Sequence, residues 1–197
     1  MTNSELHLDP PGAGIPFYER LIAKYILLPR AFRKMTWGDA QSFFDHQADE
    51  ILKITCSLTK EDLVRKVLVE RLPGLEDSSR FWSVAMTIEH SIIAGAQMAF
   101  AIGELTQGRV PETVADTAKV KPHDETDPGQ IRGEFEKFSK NFKTQMEKIE
   151  TRDSTLKYKH PWFGGLTAHQ WHCMAGIHLR LHRQQIQMIL LGMPEVT

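Results

Sequence analysis

Residues 167–192 decide how this chain reads, and the run Gly176-Ile177-His178-Leu179-Arg180-Leu181-His182-Arg183-Gln184-Gln185 carries most of that reading. Thr167, followed three residues later by Gln170, fits a capping box that starts a helix. Gly192, with Pro194 just beyond, fits its end. On that helix Trp171, Met174, Leu181, His182, Gln185, Ile189 and Gly192 share the side of His178, while His169, Arg180, Arg183 and Gln187 fall opposite. Side chains at i and i+4 of a helix have Cβ atoms roughly 5–6 Å apart, so the two inward imidazoles can converge on one divalent ion. An inward pair must find hydrogen-bond partners or a metal, because unpaired burial of a polar group is costly. At the loop end of the same helix, His169 and His172 are expected to be solvated. Cys173 faces away from the pair, which makes it a poor nucleophile candidate.

The rest of the chain supplies three more long helical patterns. The first is expected from an N-cap at Thr36 to about Cys56, burying Trp37, Phe44, Ala48, Ile51, Leu52 and Thr55. His46 and Asp49 sit on its polar side and are read as solvated rather than as ligands. The second runs from an N-cap at Asp77 or Ser78 to the Gly108 stop and is apolar all round, with Phe81, Ile88, Ile92 and Ala99 on the side away from His90. Such a helix is enclosed by its own domain or shared with a second subunit, which is the basis for expecting a homodimer. The third opens at Asp127-Pro128, and its stripe of Ile131, Phe135, Phe138, Phe142 and Ile149 is most simply core.

Between these lie a short connecting helix, Thr59 to Val69, and a long crossover over residues 109–125, which contains Pro111 and Pro122 and is of the kind that borders a site. Ahead of them, Phe17, Leu21, Ile22, Tyr25 and Leu28 predict a short helix up to Pro29, preceded by a mobile or surface-draped tail over residues 1–14. No strand-like alternation is present. The fold class is therefore all-α: a four-helix bundle with a long crossover between helices 2 and 3, plus an extra N-terminal helix, in one domain over residues 15–197.

A catalytic metal site commonly uses three protein ligands and keeps a position open. His90 is the candidate third ligand, because Ser83, Met86, Thr87, Ala94, Gln97 and Ala101 on its own face are mostly small or apolar and leave room around it. A mid-helix histidine, then His160-Pro161-Trp162-Phe163-Gly164-Gly165-Leu166-Thr167, then His178 and His182 followed by Gln185 and Ile186, together resemble the DinB/YfiT-like superfamily over residues 36–193. The resemblance implies a four-helix bundle that holds a divalent ion by three histidines, here His90, His178 and His182. It also implies a thiol-dependent transferase or isomerase as one activity found in that superfamily, many of whose members have no assigned activity.

Neutral imidazoles suit several ions: zinc or nickel first, with iron, cobalt or manganese as alternatives. A low-molecular-weight thiol is the co-substrate the resemblance suggests, and a small molecule the substrate. The competing reading is a non-catalytic protein in which the metal or a dimer interface serves stability or partner binding. A pocket opening onto the histidines favours the enzyme, and a sealed ion the structural role. His160 either braces its turn or reaches a substrate at the bundle mouth. Glu104 lies on the His90 side but several turns away, and Glu89 is off that face, so no inward carboxylate is placed as a general base.

Composition excludes other classes. In a chain of 197 residues, 24 Lys and Arg stand against 25 Asp and Glu, dispersed rather than gathered, so no nucleic-acid or membrane partner is expected. Two isolated cysteines, Cys56 and Cys173, suit a reducing cytoplasm. No segment has the uninterrupted apolar length to span a bilayer, and the amino end lacks the pattern of a signal peptide.

Overall fold

The computed structural model describes residues 7–123 and 127–194, so the start of the expected tail and the end of the expected crossover fall outside the described residues. Within them the chain is helical, with two small β-ribbons. It begins with α1 (Phe17–Ile22), a π-helical segment (Ala23–Leu27) and α2 (Leu28–Lys34), which follow one another without a break. Pro29 does not end the helix as the sequence suggests. The π segment restarts the hydrogen-bond register, and Pro29 then falls in the first turn of α2, where a missing N–H costs little. Phe17, Tyr18, Leu21, Ile22, Tyr25, Ile26 and Leu27 remain exposed on this stretch.

Helix α3 (Trp37–Thr55) starts at the expected Thr36. Its capping box is closed by Asp39, whose backbone N–H donates to Thr36 Oγ1 at 3.1 Å while the carboxylate accepts from the Thr36 N–H at 2.9 Å. The connecting helix is shorter than expected: α4 (Lys60–Val64) stops at Arg65, and Val67–Leu68 then forms β1. The second long helix also starts later. Asp77–Ser79 is a single 3-10 turn and Phe81–Trp82 forms β2, antiparallel to β1 with Val67 opposite Trp82. Only then does α5 (Val84–Thr106) begin, capped by Ser83, whose hydroxyl accepts from the Met86 N–H at 3.2 Å. Both earlier cap candidates are occupied elsewhere: Asp77 accepts from Arg80 and from the Asp9 N–H, and the Ser78 hydroxyl is bonded to Lys121.

After a 3-10 turn at Thr117–Val120 comes α6 (Ile131–Glu147), three residues beyond Pro128. Ile149 of the expected stripe lies past its end, and Met146 takes the buried place. Arg132 at the start of α6 donates to the Thr55 and Cys56 carbonyls at 2.8 and 3.0 Å, satisfying acceptors that the end of α3 leaves without helical partners. β3 (Tyr158–His160) and β4 (Gly164–Leu166) form a second ribbon, with Gly164 at φ +86° closing the turn after Pro161. A positive φ of this kind favours glycine, as only it lacks the Cβ penalty.

Helix α7 (Ala168–Leu191) follows its expected capping box and ends at Gly192. It packs against α3 on one side and α5 on the other, and α6 packs against both of those. Between them, Phe44, Phe135, Phe142, Ile51, Ile102 and Met146 are fully buried, Phe44 stacking on Phe142 at a centroid distance of 4.0 Å. Much of the apolar circumference of α5 is thus covered by its own chain. Gly176 lets α3 and α7 approach closely: a Cβ there would stand 2.7 Å from the Phe43 ring and 3.3 Å from the Phe44 backbone nitrogen.

Candidate metal centre

Helices α5 and α7 bring His90, His178 and His182 together, with one ring nitrogen from each lying within 4.8 Å of the others. The adjacent ring centroids are 4.4–5.1 Å apart. Two of the three rings are oriented from behind. His90 Nδ1–H donates to the Val120 carbonyl at 2.7 Å, and His182 Nδ1–H donates to Gln185 Oε1 at 2.8 Å. Gln185 is itself held, because its Nε2 donates to the Ser79 carbonyl at 2.7 Å. With Nδ1 protonated, the Nε2 of each ring keeps its lone pair. This is how a metal-ligating histidine is ordinarily fixed in one tautomer.

His90 Nε2 and His178 Nε2 stand 3.2 Å apart. Two donors about 2.1 Å from a common ion are separated by about 3.0–3.4 Å at octahedral or tetrahedral angles, so the spacing fits a shared divalent ion. Charge state points the same way. His90 and His182 are buried and His178 is half-buried at the cavity. Burial brings His90 down to about 4 and holds His178 and His182 well below the usual imidazole range, with the neighbouring histidines adding to the effect. Neutral rings are what a cation needs. The buried group could therefore hold a metal ion.

A cavity of about 380 Å³ opens onto the three imidazoles. Its walls include Tyr158, His160, Trp162 and Trp171 from the second ribbon and the start of α7, and Lys121 and Glu76 from loops. Glu76 is 5 % exposed and fully engaged: it accepts from the Gly14 N–H at 3.1 Å, from Thr117 at 3.3 Å and from the Lys121 ammonium. Neither Glu76 nor Lys121 is singled out by the sequence, since both lie in loops that no periodicity marks. Gln185 is marked, by its place on the inward side of α7.

The other candidates separate from the centre. His46 is exposed, as expected. Glu104 is paired with Arg109, and Glu89 accepts from His123. His172 is not solvated: it is 0 % exposed, packs against Trp37 at 4.4 Å, and donates from Nε2 to Gln41 Oε1 at 3.0 Å. His169 is half-buried and donates to the Met35 carbonyl at 2.9 Å. In the first half of α7 the side opposite His178 is not a solvent face, because α3 and the end of α2 cover it; farther along, Arg180 and Gln187 on that side are exposed. Cys173 is buried, and burial pushes its thiol up to about 12, which agrees with its reading as a poor nucleophile. No family model matches the chain, and no curated protein or solved structure matches it.

Proposed function

We propose that His90, His178 and His182 hold one divalent ion, and that the protein is a metal-dependent enzyme acting on a small molecule. The observation that carries this is the cavity: it opens onto the imidazoles whose ring nitrogens converge, whereas a purely structural ion would be enclosed by protein. The ion would supply Lewis acidity and lower the pKa of a water or thiol bound beside the histidines. The chain's own residues then orient the rings through Val120 and Gln185, exclude water with Trp82, and shape the space with Tyr158, Trp162 and Trp171.

Thiol-dependent transfer or isomerisation of a small electrophile is the form of activity that the DinB-like resemblance favours. It is supported by the engagement of Glu76, which leaves this cavity carboxylate no free role as a base for hydrolysis. In this reading α3, α5, α6 and α7 are the four helices of a DinB-like bundle, the segment between α5 and α6 is its long crossover, and α1 and α2 are the addition. Zinc or nickel heads the choice of ion. A homodimer using the exposed Phe100 of α5 and Phe81 of the preceding β2, and a reducing cytoplasm, complete the proposal. Among the described residues, no helix is long and apolar enough to cross a membrane.

The test is bound metal per chain in protein purified without added ions, compared between the wild type and His178→Ala. The wild type should carry close to one ion and the variant almost none, with helical content retained. Equal occupancy in both would show that the histidines are only a core feature. A screen of small thiols for a metal-dependent spectral change then tests the thiol.

A further inference from the structure

His160 stands in β3 at the cavity wall and is no member of the three-histidine group. Its ring is fixed in place. Phe163 stacks on it at 4.6 Å, Trp171 lies tilted against it at 5.3 Å, and Trp162 meets it edge-on at 6.0 Å. Its tautomer is fixed as well. The Trp162 backbone N–H donates to His160 Nδ1 at 3.1 Å, and a backbone N–H can only donate, so Nδ1 carries the lone pair and Nε2 carries the proton. A ring flip would set a C–H against that N–H and lose the bond. Among the described residues, no acceptor stands within hydrogen-bonding distance of Nε2–H. His160 and His178 line the same cavity.

His160 is half-buried on the cavity wall, so this N–H, held in one orientation by the ring's surroundings, is free to donate to a ligand there. The cavity it lines presents Tyr158, Trp162, Trp171, Met98 and Leu181 as its large apolar surface, beside polar groups that include Gln97 and Lys121. We propose that His160 Nε2–H is the donor of an oxygen-binding subsite beside the histidine centre, taking the carboxylate or carbonyl oxygen of a small ligand with an aromatic or branched apolar body. The proposal rests on the enzyme reading above and adds the chemical class of the ligand. His160 is a binding and positioning residue here, separate from the metal ligands, and its imidazole stays neutral while it donates.

The probe is benzoate, titrated calorimetrically into cobalt-loaded protein, with cobalt per chain measured alongside. His160→Phe keeps the aromatic stack and removes the donor; His160→Gln keeps an N–H donor. Cobalt content should be the same in the wild type and both variants. Benzoate should bind about tenfold more weakly to His160→Phe, since a hydrogen bond to a charged acceptor is being lost, and His160→Gln should recover much of the difference. Equal benzoate affinity in the wild type and His160→Phe, or no benzoate binding to cobalt-loaded wild type, would overturn the subsite and leave the metal reading standing. Cobalt uptake by the wild type no greater than by His178→Ala would instead overturn the metal reading, and the subsite with it.

Discussion

Helix α7 carries two pairs of ligand-type side chains at the same i, i+4 spacing, and they differ in almost everything else. On one side, His178 and His182 meet His90 at a cavity, with Nδ1–H groups of His90 and His182 taken by Val120 and Gln185. On the other, His169 and Cys173 face α3 and its approach, with Cys173 Sγ 3.5 Å from His169 Nε2. There the imidazole spends its Nε2–H on the Met35 carbonyl and the thiol is held protonated by burial. His172 beside them is buried too, yet among the described residues its Nδ1 lone pair has no hydrogen-bond partner. Spacing and burial are common to both sides. What distinguishes a site is convergence of ring nitrogens from more than one helix and space in front of them.

The sharpest way to break this contrast is to remove one residue from each side. His182→Ala should lower metal affinity by orders of magnitude, while His169→Ala should leave bound metal per chain unchanged. Comparable loss from both would mean that the ion sits elsewhere. A smaller effect tests the backing hydrogen bonds. Gln185→Leu leaves His182 Nδ1–H without its acceptor and the Ser79 carbonyl without its donor, so affinity measured by chelator competition should fall about 10–100-fold with the helices intact. No change would show that packing alone orients the ring.

The smallest expected effect sharpens the other side. Burial brings His172 down to about 4 against 6.5 for an ordinary imidazole. Between those values the unfolded chain binds a proton that the folded chain refuses, so stability falls as pH drops through this window. His172→Phe removes that proton uptake. In urea titrations of metal-free protein between pH 7 and 4.5, the variant should lose stability less steeply, by up to about 1.4 kcal/mol per pH unit. An unaltered slope would return His172 to the solvated state that its wheel position suggests.

What the sequence shows of all this is local. The Thr36 and Thr167 starts, the Gly192 stop and the inward stripe of His178, His182 and Gln185 depend on residues within a turn or two of each other, and the structure has them there. His90 is legible by its small neighbours. The late start of α5 was not, because it depends on Lys121 and Asp9 occupying Ser78 and Asp77 from distant parts of the chain. His172 was misread for a related reason: a helical wheel gives one direction as inward, and α7 has a packed neighbour on each of two sides. Glu76 has no signature, since apart from Ser78 its partners are 41 to 62 residues away along the chain.

That carboxylate joins three segments of the chain at the cavity wall: the amino-terminal segment through Gly14, the segment after α5 through Thr117 and Lys121, and the turn before α5 that it belongs to. Removing the residues before Ile15 would therefore alter the support of a cavity-wall residue from the far end of the sequence. Glu76 would lose one of its donors, the Gly14 N–H, and keep those of Thr117 and Lys121.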